Sequence, residues 1–210
     1  MAKNILIFGP QGSGKGTQAE LIARRHGLAY ISTGDIFRYH LKNQTALGQQ
    51  IQSYVNAGRL VPDELTNKIV QERLEQPDCN LGFVLDGYPR NLVQQEFLDT
   101  SAKADYAIGI ALSDQQAIER LFGRLACKCG LSYHLVYTPP KKAGICNHCG
   151  DQLFKRDDDQ PEAIKKRLAI YHQETEPLFA IYQKRGIWRP VDGSGSIEAV
   201  YQQIERIINF

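Results

Sequence analysis

Gly9-Pro10-Gln11-Gly12-Ser13-Gly14-Lys15-Gly16-Thr17 follows directly on the apolar run Ile5-Leu6-Ile7-Phe8. The order reads as a strand, a glycine loop and then a helix. Glycines let successive backbone N–H groups turn toward one point, and the helix behind them adds its positive end. Lys15 supplies a full charge for outer phosphates. The stretch satisfies G-x-x-x-x-G-K, but Gly16 stands where a hydroxyl residue is usual, and the hydroxyl comes one place later at Thr17. That hydroxyl is a candidate for a magnesium ion. A chance glycine-rich turn would not require a strand before it and a helix after it.

Hydrophobic residues at 42% and charged residues at 23% fit one ordinary globular core carrying inserted lobes. A net charge of +2 gives no basic field for nucleic acid. No apolar run approaches the ~18 residues of a membrane span, so no membrane partner is expected. A strand begins almost at the first residue, leaving no room for a secretory signal, and a cytoplasmic, reducing setting is expected. With no heptad or long apolar stripe, the expected state is a monomer.

Five strands are predicted, at 4–8, 28–31, 82–85, 106–112 and 188–191. Several are nearly continuous apolar runs, as strands buried on both faces should be. Helices fall between them. The first runs from Lys15 to His26, with Gly27 as its stop. Ser113 and Gln116 have capping-box spacing, and Pro161 suits a first helical turn. Pro177 should break or kink the helix that Pro161 begins, and Ser196 caps the last one. This alternation predicts an α/β fold with a five-stranded parallel sheet flanked by helices. Residues 32–61 and 126–159 do not fit the alternation and read as two inserted lobes. The acidic run Asp157-Asp158-Asp159 reads as a solvated face or a helix N-terminus.

Three further segments narrow the loop's meaning. They are Ile31-Ser32-Thr33-Gly34-Asp35-Ile36-Phe37-Arg38, then Val84-Leu85-Asp86-Gly87-Tyr88-Pro89-Arg90, then Arg156-Asp157-Asp158-Asp159 with Lys166-Arg167 downstream. Together with the loop they resemble the adenylate kinase family in its long-lid form. The resemblance covers essentially the whole chain in consistent order. It implies a P-loop nucleoside triphosphate hydrolase-type fold with two mobile lobes. The core would be 1–31, 62–122 and 160–210, the AMP-binding lobe 32–61 and the lid 123–159. It implies the magnesium-dependent reaction ATP + AMP ⇌ 2 ADP, and adenine-nucleotide salvage as its setting.

The resemblance also implies roles. Gly12, Ser13, Gly14, Lys15, Gly16 and Thr17 would cradle the ATP phosphates, and Asp86 would hold magnesium through its waters. Arg38 and Arg90 would grip the AMP phosphate, since a guanidinium matches phosphate geometry and stays charged. Arg124, Arg156 and Arg167 would surround the transferring group, with Arg156 and Arg167 also reaching AMP. Lys15, Arg90 and these three arginines form the catalytic set. Arg120 would pack on the ATP adenine, with Ser132, Tyr133 and Gly195 nearby. Thr33, Arg59, Leu60, Val61, Gly87, Tyr88, Pro89 and Gln94 complete the AMP site. Gln94 can pair with an adenine edge through both donor and acceptor. Two positions depart from the family: Gln11 replaces a usual proline, which predicts a less rigid loop, and Leu125 replaces a frequent arginine.

Cys127-Lys128-Cys129, sixteen residues, then Cys146-Asn147-His148-Cys149 resembles the zinc-bearing lid of some adenylate kinases. Four thiolates suit tetrahedral zinc, with cobalt or ferrous iron as alternatives, and the role would be structural. Relatives usually place two residues inside the first pair, where this chain has one. His134 and His148 are the possible substitute ligands. A zinc-finger-like nucleic-acid binder, a UMP/CMP kinase and a nucleotide sensor without turnover are the competing readings. The near-neutral charge, the cysteine-bearing long lid and the retained Lys15, Asp86 and arginines argue against them in turn.

Overall fold

A computed structural model describes residues 3–156 and 159–208. Its central sheet holds β1 (Lys3–Phe8), β2 (Ala29–Ser32), β3 (Gly82–Asp86), β4 (Tyr106–Ala111) and β7 (Trp188–Asp192) in the spatial order β2-β3-β1-β4-β7, all parallel. The five predicted strands are all present. The second is displaced by one residue, the fourth ends before Leu112 and the last extends to Asp192.

The alternation of β1 shows why the sheet is buried on both sides. Ile5 and Ile7 face α1 (Lys15–His26) and α9 (Ile197–Ile207), where they meet Ala19, Ile22, Val200 and Ile204. Leu6 and Phe8 face the opposite layer, with Val70 of α4 (Asp63–Leu74), Leu98 of α5 (Leu92–Ser101), and Leu178 and Tyr182 of α8 (Leu178–Lys184). Successive side chains of a strand point to opposite faces, so one run of four apolar residues fills two cores. Each fully buried aliphatic side chain contributes about 1.5–3 kcal/mol.

The punctuation works as the sequence indicates. Gly27 ends α1 in a left-handed conformation, and the Leu28 N–H returns to the Ala23 carbonyl at 2.9 Å. Ser113 and Gln116 cap α6 (Asp114–Phe122) reciprocally. Pro161 opens α7 (Pro161–Ile170). Pro177 lacks the N–H that would continue that helix. The chain widens into a π-helical turn over Tyr171–Thr175, with Glu176 N–H bonded to the Tyr171 carbonyl, before α8 restarts.

Between β2 and α4, the helices α2 (Thr33–Lys42) and α3 (Ala46–Asn56) pack around their own small core of Phe37, Ile51 and Val61. Between α6 and α7, β5 (Arg124–Ala126) and β6 (Ser132–His134) form a two-stranded antiparallel ribbon. These are the two stretches that interrupt the strand–helix alternation.

Candidate functional site

The loop after β1 presses against the core. A Cβ on Gly12, whose φ is +83°, would lie 2.6 Å from the Ala117 carbonyl oxygen, so only glycine fits. No side chain caps the start of α1, which leaves its first N–H groups open to an anion. Ser13 Oγ is buried there without a hydrogen-bond partner. Gly16 explains the displaced hydroxyl. A side chain at that position would meet Asp86 Oδ2 at 3.2 Å and Tyr30 Oη at 3.6 Å, so the hydroxyl is carried by exposed Thr17 instead.

Lys15 Nζ rests on the Pro10 carbonyl at 3.3 Å. The side chain keeps some surface open, but the protein around it withdraws enough water to lower its pKa to about 8. Asp86 opposes that shift, while Arg90, Arg167 and Arg124 add to it. The three arginines therefore converge on the lysine's electrostatic neighbourhood. Asp86 ends β3, buried, with its pKa raised by burial against the pull of Lys15 and Arg90. Its Oδ1 has no hydrogen-bond partner. An orphaned buried carboxylate oxygen is costly unless a cation or its water shell completes it. That donor chemistry fits a magnesium ion arriving with a nucleotide.

A second crevice is lined by Thr33, Phe37, Leu60, Val61, Thr66, Gly87, Arg90 and Gln94. Six of these are residues expected at the AMP site. Phe37 and Thr66 are not, because each reads in the sequence as an ordinary helix residue. The Thr33 hydroxyl (2.9 Å) and Arg90 Nε (2.7 Å) both donate to the Gly87 carbonyl. Arg38 is held on Asp35 at 2.6 Å. Arg59 lies over the Tyr54 ring at 4.8 Å. A larger groove between α4 and α5, lined by Glu64, Lys68 and Phe97 among others, includes none of the phosphate-loop residues.

Several side chains stand differently from the expectation. Gln94 already accepts from Arg90 N–H (2.8 Å) and donates to Asp63 Oδ1 (2.7 Å), leaving one N–H and one lone pair for any base. Tyr88 turns its hydroxyl into the core, onto Asn67 Oδ1 (2.7 Å) and the Gln94 carbonyl (3.0 Å), away from any ligand. Gln11, expected only to make the loop less rigid, has a partner: its Nε2 donates to the Ile164 carbonyl of α7 at 2.7 Å. Asp157 and Asp158 lie outside the described residues. Of the two readings for this run, Asp159 fits the helix N-terminus, one residue before the Gln160 cap of α7, and not the solvated face: its side chain is 3% exposed and accepts from Nε and Nη2 of Arg124.

Arg120 donates to the Ser194 carbonyl at 3.2 Å, which brings it beside Gly195, and its guanidinium lies over Tyr137 at 5.4 Å. Arg156 meets Ser132 Oγ at 3.0 Å within the lid ribbon. Tyr133 points its hydroxyl at the cysteines rather than outward. Its Oη accepts from Asn147 N–H at 2.8 Å and lies 3.4 Å from Cys146 Sγ. That contact, with the N–H groups of Cys149 and His148, lowers the Cys146 pKa to about 5.

Cys127, Cys129, Cys146 and Cys149 bring all four sulfurs within 4.8 Å of one another. Cys127 and Cys149 stand 3.3 Å apart, and Cys129 and Cys146 3.7 Å apart. A tetrahedron with bonds of about 2.3 Å has edges of nearly 3.8 Å, so the cluster fits one metal ion. The shortened first pair still delivers both thiols, because the chain turns back at once, with Gly130 N–H on the Cys127 carbonyl. Neither histidine joins the group. His134 instead accepts the N–H groups of Val136 and Tyr137.

The family model described as adenylate kinase matches residues 7–187. This chain belongs to the adenylate kinase family. Similar curated adenylate kinases include that of Methanothrix thermoacetophila, 44% identical with 98% of each chain covered. That of Agathobacter rectalis is 46% identical over 97% of this chain and 98% of its own. That of Enterococcus faecalis is 45% identical over 98% of this chain and 99% of its own. The adenylate kinase fold and the phosphate loop, Asp86 and the arginines are thus found together in one chain.

Proposed function

We propose that this chain catalyses ATP + AMP ⇌ 2 ADP by direct in-line phosphoryl transfer, with ATP on the phosphate loop and AMP in the Thr33–Gln94 crevice. The observation that carries the reading is that Asp86, Arg90, Arg124 and Arg167 all act electrostatically on Lys15 of the loop, while Arg90 also lines the crevice. Phosphoryl transfer needs alignment and charge stabilisation more than a covalent partner. Lys15 and the α1 N–H groups hold the outer phosphates of the donor. Arg38 and Arg90 hold the acceptor phosphate, and Arg124, Arg156 and Arg167 neutralise charge on the group in flight. Magnesium, when bound with ATP, spreads the phosphate charge, and Asp86 orients its waters. A phosphate oxygen of AMP is already a nucleophile, so no side-chain base is required.

The lobes 32–61 and 123–159 close over the bound nucleotides and exclude water, so that transfer outruns hydrolysis. Closure releases Arg124 from Asp159 or carries both with the lid. Tyr88 and Pro89 act through backbone, and Arg59, Leu60 and Val61 frame the base. Ser132, Tyr133 and Gly195 lie on the donor side. The four cysteines hold a structural zinc ion that staples a lobe too small to keep its own core. The protein works as a cytoplasmic monomer.

The test is initial ADP formation from ATP with each of AMP, GMP, CMP and UMP. Selective use of AMP is expected. Preference for another acceptor overturns the assignment of the crevice.

A further inference from the structure

Gln11 joins the phosphate loop to the helix that leaves the lid. Its Nε2 donates to the Ile164 carbonyl across 153 residues of chain, at 2.7 Å and fully buried. Its Oε1 is also buried but has no hydrogen-bond partner. The neighbouring residue seats the loop on the other lid-bearing helix, because Gly12 abuts the Ala117 carbonyl of α6. Beneath the loop, Ala117 and Leu121 of α6 pack with Ile164 and Leu168 of α7 in one small cluster. The helix entering the lid and the helix leaving it are thus both fastened to the phosphate loop. α7 also touches the acceptor lobe: a Cβ on Gly58 would lie 3.2 Å from the Ala163 carbonyl oxygen and 3.3 Å from Arg167 Cγ. Arg167 stands three residues beyond Ile164, about one helical turn.

We propose that Gln11 is a positioning residue, which sets α7, and through it Arg167, against the phosphates held in the loop. The energetics favour this over a purely stabilising role. Ile164 lies inside α7, whose own ladder already uses its carbonyl, so losing the Gln11 donor strands no acceptor. An amide that contributes little net stability, yet fixes one helix to the phosphate loop, contributes register. A misplaced catalytic group of this kind costs rate more than binding. The inference rests on the phosphotransfer reading above, so wild-type turnover of ATP with AMP is the control that tests that reading separately.

The experiment compares wild type with Gln11→Met, which keeps the volume and removes both polar atoms, and with Gln11→Pro. Each is made alone and in an Arg167→Ala background, and kcat, KM for ATP and AMP, and thermal midpoint are read. The expected result is a kcat loss of roughly tenfold with KM for ATP changed less than twofold and any rise in KM for AMP smaller than the kcat loss. The Gln11→Met midpoint should be no lower than that of wild type. In the Arg167→Ala background the same substitution should cost almost nothing more, the mark of two residues acting as one unit. Unchanged kcat overturns the proposal. So does an undiminished loss in the Arg167→Ala background, or a drop in midpoint that accounts for the lost activity.

Discussion

Lys15 sits where its charge responds to pH near neutrality. Burial lowers its pKa to about 8, and three arginines nearby add to the effect. The charged form is therefore present below about pH 8 in the nucleotide-free protein and is lost above it. We expect kcat/KM for ATP to fall as pH rises through about 8, since that ratio reports groups of the free enzyme. A pH–rate profile with substrate well below KM checks this, and a flat profile to pH 9.5 contradicts it. Lys15→Met removes the charge altogether and should lower kcat by about 10²–10³, the scale for a lost oxyanion donor. The residue types were legible in the sequence because phosphate chemistry accepts few substitutes for a glycine loop, a lysine and arginines. Their present partners were not. Gln94 engaged at both ends, Tyr88 turned inward and Arg124 held by Asp159 depend on neighbours 4 to 35 residues away that no local pattern specifies.

At the scale of elements, the clearest dependence on packing is at β4 and β7. A Cβ on Gly109 would stand 2.3 Å from the Trp188 indole, and that indole stacks on Phe179 with centroids 4.0 Å apart. Gly109→Ala should destabilise the fold by about 1–3 kcal/mol through overpacking, read as a shifted denaturant midpoint. A pH-dependent tie joins α6 to the turn after α7. His172 meets Asp114 at 3.0 Å and Glu176 at 3.1 Å, and its pKa is raised by the Glu176 and Asp114 bonds. A raised folded-state pKa stabilises fully below the unfolded value of about 6.5, and that stabilisation is lost as pH rises through the folded value. His172→Gln should therefore lower the melting midpoint at pH 5.5 but not at pH 9. The proposed metal staple of the lid is tested directly. Elemental analysis of protein purified without added metal should find one ion per chain, and Cys129→Ser should lose it. Metal-free wild-type protein would refute the staple.

At the scale of the whole molecule, three layers arise from strands apolar on both faces, and the sequence periodicity already indicates them. The π-helical turn before Pro177 and the Gln11–Ile164 tie were not legible, because each depends on where two distant segments are brought together. The same layers place the phosphate loop at the carboxyl end of β1, next to β3, whose last residue is Asp86. A phosphotransferase built this way runs in both directions and returns both products to nucleotides. The direct test is to give the purified protein magnesium and ADP alone and resolve the nucleotides over time. The account predicts ATP and AMP appearing in equal amounts, without inorganic phosphate. Release of phosphate in place of that pair, or no conversion at all, would contradict it.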